Sequence, residues 1–442
     1  MATPKQKIEK GNKRTINAWA FYDWANSSYP LVITSAIFPI FYEAKTSITE
    51  KNGRIISDAV FLFGRQFKNT ELYSYVISLS FIMVCLSAPL LSGIADYSGN
   101  KKRFMQFFCY LGSASCATLF FFDPTHLFWG MLSILMTSFG FWGSLVFYNA
   151  FLPEIAEPAD QDRVSAKGFS LGYLGSSILL IILLILSMKF GMPYEYSFVA
   201  VGIWWAGFAQ ITFAAIPNNV FFRKPEGNYL FKGFRELKLV WYQLGELPRL
   251  KRYLTSFFFY SMGVQTVMLM AVLFAKKEII GIENTHLIVS ILLIQFLGIA
   301  GSVFFSRLSR WIGNIKALGI SIFIWIGICI STYLWVYTPF GFYIIASAVG
   351  LVMGGIQSLS RSTYSKLLPE TEDHASFFSF FDVCEKLGIV IGAFSFGYIE
   401  GITGGMRNSI LALIAFFVIG FIILLTIPKD KRLAIDPVRN NR

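Results

Sequence analysis

The chain has 442 residues, 55% of them hydrophobic and only 14% charged, with a formal net charge of +12. A soluble domain carries about 25% charged residues, so these values exclude a water-soluble enzyme. They also make a membrane surface, not nucleic acid, the partner of the positive excess. Five cysteines and three histidines, none in CxxC or metal-ligand spacing, leave nothing from which to build a redox, metal or hydrolytic centre, and no cofactor is expected.

A hydrocarbon core of about 30 Å needs roughly 20 apolar residues per helix. Such runs occur at 17–42, 71–94, 104–122, 127–150, 165–190, 196–216, 252–275, 286–309, 317–337, 340–362, 376–399 and 408–427. The pattern predicts an all-α membrane protein of twelve transmembrane helices. It has an N-terminal six-helix half (1–216), a linker (217–251) and a C-terminal six-helix half (252–442). The first 16 residues are basic and polar, and the apolar run behind them is too long for a cleaved signal. Span 1 carries Asp23 and Asn26 on one face, with Tyr29 nearby and prolines at 30 and 39. Pro89 interrupts span 2, and all three prolines are expected to bend their helices. Gly93 to Arg103 follows, reading GIADYSGNKKR. Span 4 ends on Tyr148 and Asn149. Glycines at 168, 172 and 175 in span 5 and at 388 and 392 in span 11 form small-residue stripes that let helices approach, at symmetric positions suited to a rocking interface. The linker reads FKGFRELKLVWYQL from Phe231 to Leu244, a basic amphipathic pattern suited to anionic lipid at the inner leaflet. Gln265 lies in span 7, Gln295 in span 8 and Gln357 in span 10. Span 11 carries Asp382, Glu385 and Lys386, of which Asp382 and Lys386, at i,i+4, suit an ion pair that leaves Glu385 over. Most of the 38 Lys and Arg fall on the N-tail, the turns after spans 2, 4, 8 and 10, the linker and the C-tail. Positive charge marks the cytoplasmic side, so both termini are expected inside.

The two halves echo each other. YNAFLPE (Tyr148 to Glu154) returns as YSKLLPE (Tyr364 to Glu370), Gly99–Asn100 as Gly313–Asn314, and Gly172 as Gly388. Two six-helix halves joined by a basic linker resemble the major facilitator superfamily. The 93–103 string resembles that superfamily's signature loop, through Asp96, Gly99, Lys101, Lys102 and Arg103. Three longer strings are more specific: AWAFYDWANSSYP (18–30), LPEIAEPADQDRVSAKGFSLGYLG (152–175) and GGIQSLSRSTYSKLLPE (354–370). In these the chain is similar to the branch of the superfamily that contains the fungal autophagy-related vacuolar amino-acid effluxer and its bacterial relatives. Relatives often carry an acid in span 7 just after Tyr-Asn. Here that stretch reads Tyr260, Ser261, Met262.

The resemblance implies a secondary transporter working by alternating access, with spans 1, 4, 7 and 10 lining the cavity. It points to export or exchange of amino acids or similar zwitterions. A proton-coupled drug or metabolite exporter and a lipid flippase are the alternatives. A charge near the bilayer centre costs about 3 kcal/mol, so each charge in a span needs a role. Asp23, Asn26, Tyr29, Asn149, Gln265, Gln357 and Glu385 are candidates for binding substrate or coupling to protons. Asp96, Gly99, Lys101, Lys102, Arg103, Asp382 and Lys386 are candidates for an inner gate. In that gate Asp96 would face the N-terminus of a neighbouring helix. Buried polar packing is the third reading for the charges in the spans. A monomer in the plasma membrane, with protons and anionic lipids as further partners and no nucleic acid, completes the expectation.

Overall fold

The computed structural model describes residues 9–49, 55–217 and 229–428. The first apolar run is broken. Helix α1 (Lys13–Asn26) is capped by Asn12, whose side chain accepts from Arg14 N and Thr15 N. A π-helical stretch follows at Tyr29–Ile37, and then α2 at Phe38–Thr46. Pro30 cannot donate to the preceding turn, and its own carbonyl takes the Ser35 hydroxyl at 2.8 Å. The turn therefore widens instead of continuing as one helix.

The segment from 43 to 70, between the first two apolar runs, contains two antiparallel strand pairs: β1 (Ile48–Thr49) with β2 (Ile55–Ser57), and β3 (Ala59–Leu62) with β4 (Arg65–Lys68). The all-α expectation is corrected to nearly all-helical. The signal was present. Val60 is buried and Phe61 exposed, the alternation of a half-covered strand. Phe63 and Gly64 both have positive φ, 52° and 75°, as a two-residue hairpin turn requires.

The other elements are α3 (Asn69–Ser98), α4 (Lys101–Thr118), α5 (Leu127–Ala150), α6 (Leu152–Ile155), α7 (Gln161–Phe190), α8 (Glu195–Ala215), α9 (Tyr229–Glu246), α10 (Pro248–Glu278), α11 (Asn284–Ile312), α12 (Asn314–Trp335), α13 (Pro339–Leu367), α14 (His374–Thr403) and α15 (Met406–Leu425). Among the described residues ten helices are long and apolar enough to cross a membrane, so the chain is a multi-pass membrane protein. The broken first segment and α14 are not among the ten; α14 carries Asp382, Glu385 and Lys386. Helices α3 and α11 both stop at a glycine of positive φ, Gly99 at 71° and Gly313 at 87°. The sequence repeat thus returns a positive φ at each helix end, although ψ differs, 24° at Gly99 and 154° at Gly313.

Glycines set how closely the helices pack. On α7, Gly172 and Gly175 lie against α1, and on α14, Gly388 and Gly392 lie against α10. These four glycines pack within their own side of the chain, whereas Gly168, on the same α7 stripe, also faces Arg361 of α13. The tightest approach is α11 on α13: a Cβ at Gly301 would overlap the Leu351 carbonyl, and one at Gly354 the Gly298 carbonyl. Backbone cannot move aside as a side chain can. Gly301→Ala should therefore cost about 1–3 kcal/mol and lower the thermal unfolding temperature in detergent. Gly327→Ala, where a Cβ meets open space, should leave it unchanged.

Helix α9 packs on α3 and α14, with Trp241 against Phe380 at 5.8 Å. Val240 and Leu244 are buried, while Arg235, Lys238, Leu239 and Tyr242 are exposed. The side chains of Phe231, Lys232, Phe234 and Leu237 lie outside the described residues.

Candidate functional site

The polar residues of the spans gather into three groups between the helices before α9 (the N-set) and those after it (the C-set). The first centres on Asp23 of α1 and Arg361 of α13, both buried. Both terminal nitrogens of Arg361 lie 3.3 Å from Asp23 Oδ2, which also accepts the Tyr148 hydroxyl at 2.7 Å. Arg361 Nε donates to Ser165 Oγ and Nη2 to the Ser165 carbonyl, both at 2.9 Å, and Nη1 to Asn149 Oδ1 at 3.3 Å. The guanidinium lies 4.9 Å from the Trp19 ring centre, 5.4 Å from Tyr148 and 4.3 Å from Phe169. Every one of these partners belongs to α1, α5 or α7. A cation of the C-set is therefore held wholly by the N-set. Gly168 makes the room: a Cβ there would overlap Asp23 Oδ2 and stand 2.9 Å from Arg361 Nη2. A buried ion pair must be closely hydrogen-bonded to offset its desolvation, and this one is.

The second group closes the basic end of the bundle. Asp96, at the end of α3, accepts from Ala375 N at 3.1 Å and Ser376 N at 2.6 Å, the unpaired donors of the first turn of α14. Lys101 lies 3.0 Å from Asp96, pairs with Glu154 and reaches the Glu372 carbonyl at 3.4 Å. His374 Nδ1 is 3.0 Å from Glu154. Beside this seam runs its counterpart. Asp162 of α7 accepts from Ser309 and Asn314, both at 2.7 Å, and from Lys366 at 2.6 Å. Asn314 also donates to Thr363 at 3.0 Å. In one seam the acid belongs to α3, in the other to α7, and both join N-set to C-set. Two of the expected gate residues stand apart. Lys102 donates to the Ile216 carbonyl at 2.8 Å, within the N-set, and Arg103 is exposed.

At the first seam, burial and then the Asp96 carboxylate raise the Asp373 carboxyl above its ordinary value. The closed seam thus holds that proton more tightly than an opened, solvated seam would. Closure gains as pH falls through the raised value, and the gain is lost as pH rises above it. Alkylation of Thr363→Cys, taken relative to a free thiol at the same pH, should slow as pH falls through that raised value, and Asp373→Asn should reduce that dependence.

The third group lies further along α14. Lys386 is fully buried, 2.7 Å from Asp382 and 2.8 Å from Glu385, with the Trp142 ring centre 3.7 Å away. Gln265 donates to Glu385 at 2.7 Å. Glu385 is therefore not left over. Adjacent residues of a helix do not normally face each other, but a lysine stem reaches both acids. Asp382 and Lys386 do not join the seam at the basic end; they pair with each other, and Lys386 meets Trp142 of α5.

The remaining candidates scatter. Asn149 serves Arg361, and Gln357 accepts the Tyr173 hydroxyl at 2.6 Å, again C-set to N-set. Asn26 is buried in α1, and its Oδ1 accepts from Ser27 at 3.5 Å. Tyr29 is buried against Phe141 and Trp205, inside the N-set.

Reasoning from sequence passes over Arg361, Glu154, Asp162, Lys366 and His374. Arg361 had a usable signal: it is the one basic residue of the 340–362 apolar run. Asp162 and Glu154 had none, because a charge in a short polar turn looks solvated until the fold brings α11 and α14 over it.

The family described as Vacuole effluxer Atg22 like matches residues 11–434. The chain belongs to that family. Among the relatives of this Atg22-like chain is the MFS-type transporter YxiO of Bacillus subtilis strain 168, 31% identical over 435 residues, 96% of this chain and 97% of that one. Autophagy-related protein 22 of Yarrowia lipolytica is 22% identical over 464 residues, 84% and 78% of the two chains. Of solved structures, the human organic anion transporter MFSD10 (TETRAN) superposes with a TM-score of 0.72 at 11% identity, covering 94% of this chain and all of that one. The major facilitator superfamily transporter FucP, in the outward conformation, gives 0.67 at 12%, covering 95% and 99%. The Atg22-like chain therefore has the major facilitator fold. Among its described residues no group of three or more His, Cys, Asp and Glu is placed to hold a metal ion.

Proposed function

We propose that this Atg22-like chain is a secondary transporter with twelve spans, counting the broken first segment and α14, in two halves divided at 217–251. The reading places it in the plasma membrane as a monomer, with both termini and the basic seams in the cytoplasm and α9 against anionic lipid. It works by alternating access, and the closed seams correspond to the outward-facing state. Its substrates are amino acids or similar small zwitterions, exported or exchanged.

The observation that carries the substrate class is the Asp23–Arg361 pair. One partner belongs to each half, so opening the seams separates them. The opened cavity then presents a carboxylate on one wall and a guanidinium on the other. Neither is stable there alone. A zwitterion restores both contacts, ammonium to Asp23 and carboxylate to Arg361, the latter in the fork geometry that guanidinium favours. Without a solute the pair re-forms only on closure. Such a device ties opening and refilling to the solute. The Asp382–Glu385–Lys386 group, with two acids for one lysine, carries the spare charge from which proton coupling would be built.

The test is counterflow in proteoliposomes. Vesicles loaded with a pool of unlabelled amino acids should accumulate labelled members of the pool transiently, and empty vesicles should not. No accumulation of any amino acid, with transport of an organic cation or a phospholipid instead, would replace this reading with the exporter or flippase alternative.

A further inference from the structure

From the geometry we infer that the C-terminal half contains a separate subsite for an uncharged, compact apolar group bearing one hydrogen-bond donor. A cavity of about 120 Å³ opens among α10, α11, α12, α13, α14 and α15, with Leu31 and Ser35 of the π-helical stretch at its edge. Met268, Gln295, Ile328, Val349 and Phe396 are among its walls, and no charged residue lines it. The absence of any counter-charge excludes an ionised group from the cavity itself.

The one feature that points to a donor is Gln295. Its side chain is buried, and Oε1 has no hydrogen-bond partner. The hydroxyls on the walls are not free to supply it: Ser35 donates to the Pro30 carbonyl and Thr332 to the Ile328 carbonyl. A buried acceptor without a donor costs about 1–3 kcal/mol, which an incoming O–H or N–H would recover. Helical rise puts Gln295 roughly 16 Å in from the start of α11, near mid-depth. An occupant entering from the end opposite the closed seams would therefore meet apolar walls first and the amide last. An apolar cavity of about 150 Å³ takes up benzene, so this one suits a phenyl-sized or branched alkyl group. Methionines at 268 and 270 can adjust to its shape. The ionised part of a solute must stay outside, in the central path.

The subsite rests on the orientation and state proposed above, and the test separates the two. Full-length protein in lipid vesicles, with its five cysteines replaced, carries Ser35→Cys, an exposed position at the cavity's edge that a charged reagent reaches without entering the cavity. The rate of reaction with a membrane-impermeant methanethiosulfonate is read with phenol or toluene present, isosteric probes with and without a donor. The cysteine should react from the outside, and both probes should slow it. Gln295→Leu should raise the phenol concentration needed for half-protection, relative to toluene, by about fivefold, the value of one neutral hydrogen bond. Reaction from outside that neither probe slows, or a phenol-to-toluene ratio unchanged by Gln295→Leu, overturns the subsite and leaves the transport reading standing. Reaction only from the inside overturns the orientation, and the subsite with it. No reaction from either side means that the cavity is closed to solutes, and also overturns it.

Discussion

Arg361→Ala should abolish exchange and destabilise the protein. Asp23 would remain buried with the Tyr148 hydroxyl as its remaining side-chain donor, since its other side-chain hydrogen bonds are to Arg361. Removing one partner of a buried pair costs about 3–5 kcal/mol. The double variant Asp23→Asn with Arg361→Met removes both charges and nearly keeps their volumes. It should recover most of the lost stability and none of the exchange. Thermal unfolding in detergent and counterflow read the two effects separately. If the double variant exchanges amino acids at the native rate, the pair is packing and the account of zwitterion recognition fails.

Asp96→Ala should shift the protein away from the seam-closed state. It removes an acceptor of two backbone N–H groups at the start of α14 and one anion beside Lys101. Hydrogen bonds to a charged group are worth about 1.5–3 kcal/mol each. Part of this is recovered, because opening solvates the same groups, so the population of the open form should rise about tenfold or more. Asp162→Ala should act in the same direction through Ser309, Asn314 and Lys366, because the second seam closes the same end. The free-energy effects of the two should add, because the seams share no partner and both part on opening. Alkylation of Thr363→Cys reads the shift, and an unchanged rate in both variants would remove the gating role from Asp96.

Ten of the expected membrane spans were legible in the sequence because burial in lipid demands unbroken apolar length. The Gly99 and Gly313 turns were legible because only a small residue takes positive φ cheaply. Helix α14 was readable by length despite its charges. The strand pairs were not separated from a long polar loop, although Val60 and Phe61 alternate as strand residues do. The break in the first span was indicated by Pro30, but a proline announces a disturbance and not its form. The site was legible only by half. Asp23 stood out as an acid in an apolar run, whereas its partner is 338 residues away, and no periodicity reports a contact of that range. Glu385 looked unpaired because helical spacing gave Lys386 to Asp382, yet a flexible lysine serves both. The seams escaped for a different reason: Glu154, Asp162 and Lys366 lie at helix ends, where charge is ordinarily solvated.

The central claim is that solute binding and seam opening are one event. Its most direct test is the distance between nitroxide labels at Glu157→Cys and Glu370→Cys, exposed positions in the N-terminal and C-terminal halves at the basic end, measured by pulsed electron paramagnetic resonance in lipid nanodiscs. The account predicts two distances, a short one for the closed seams described above and a longer one, with weights that change when a transported amino acid is added and with the longer one dominant in Asp96→Ala. A single distance, the same with and without amino acid and in the variant, would contradict it.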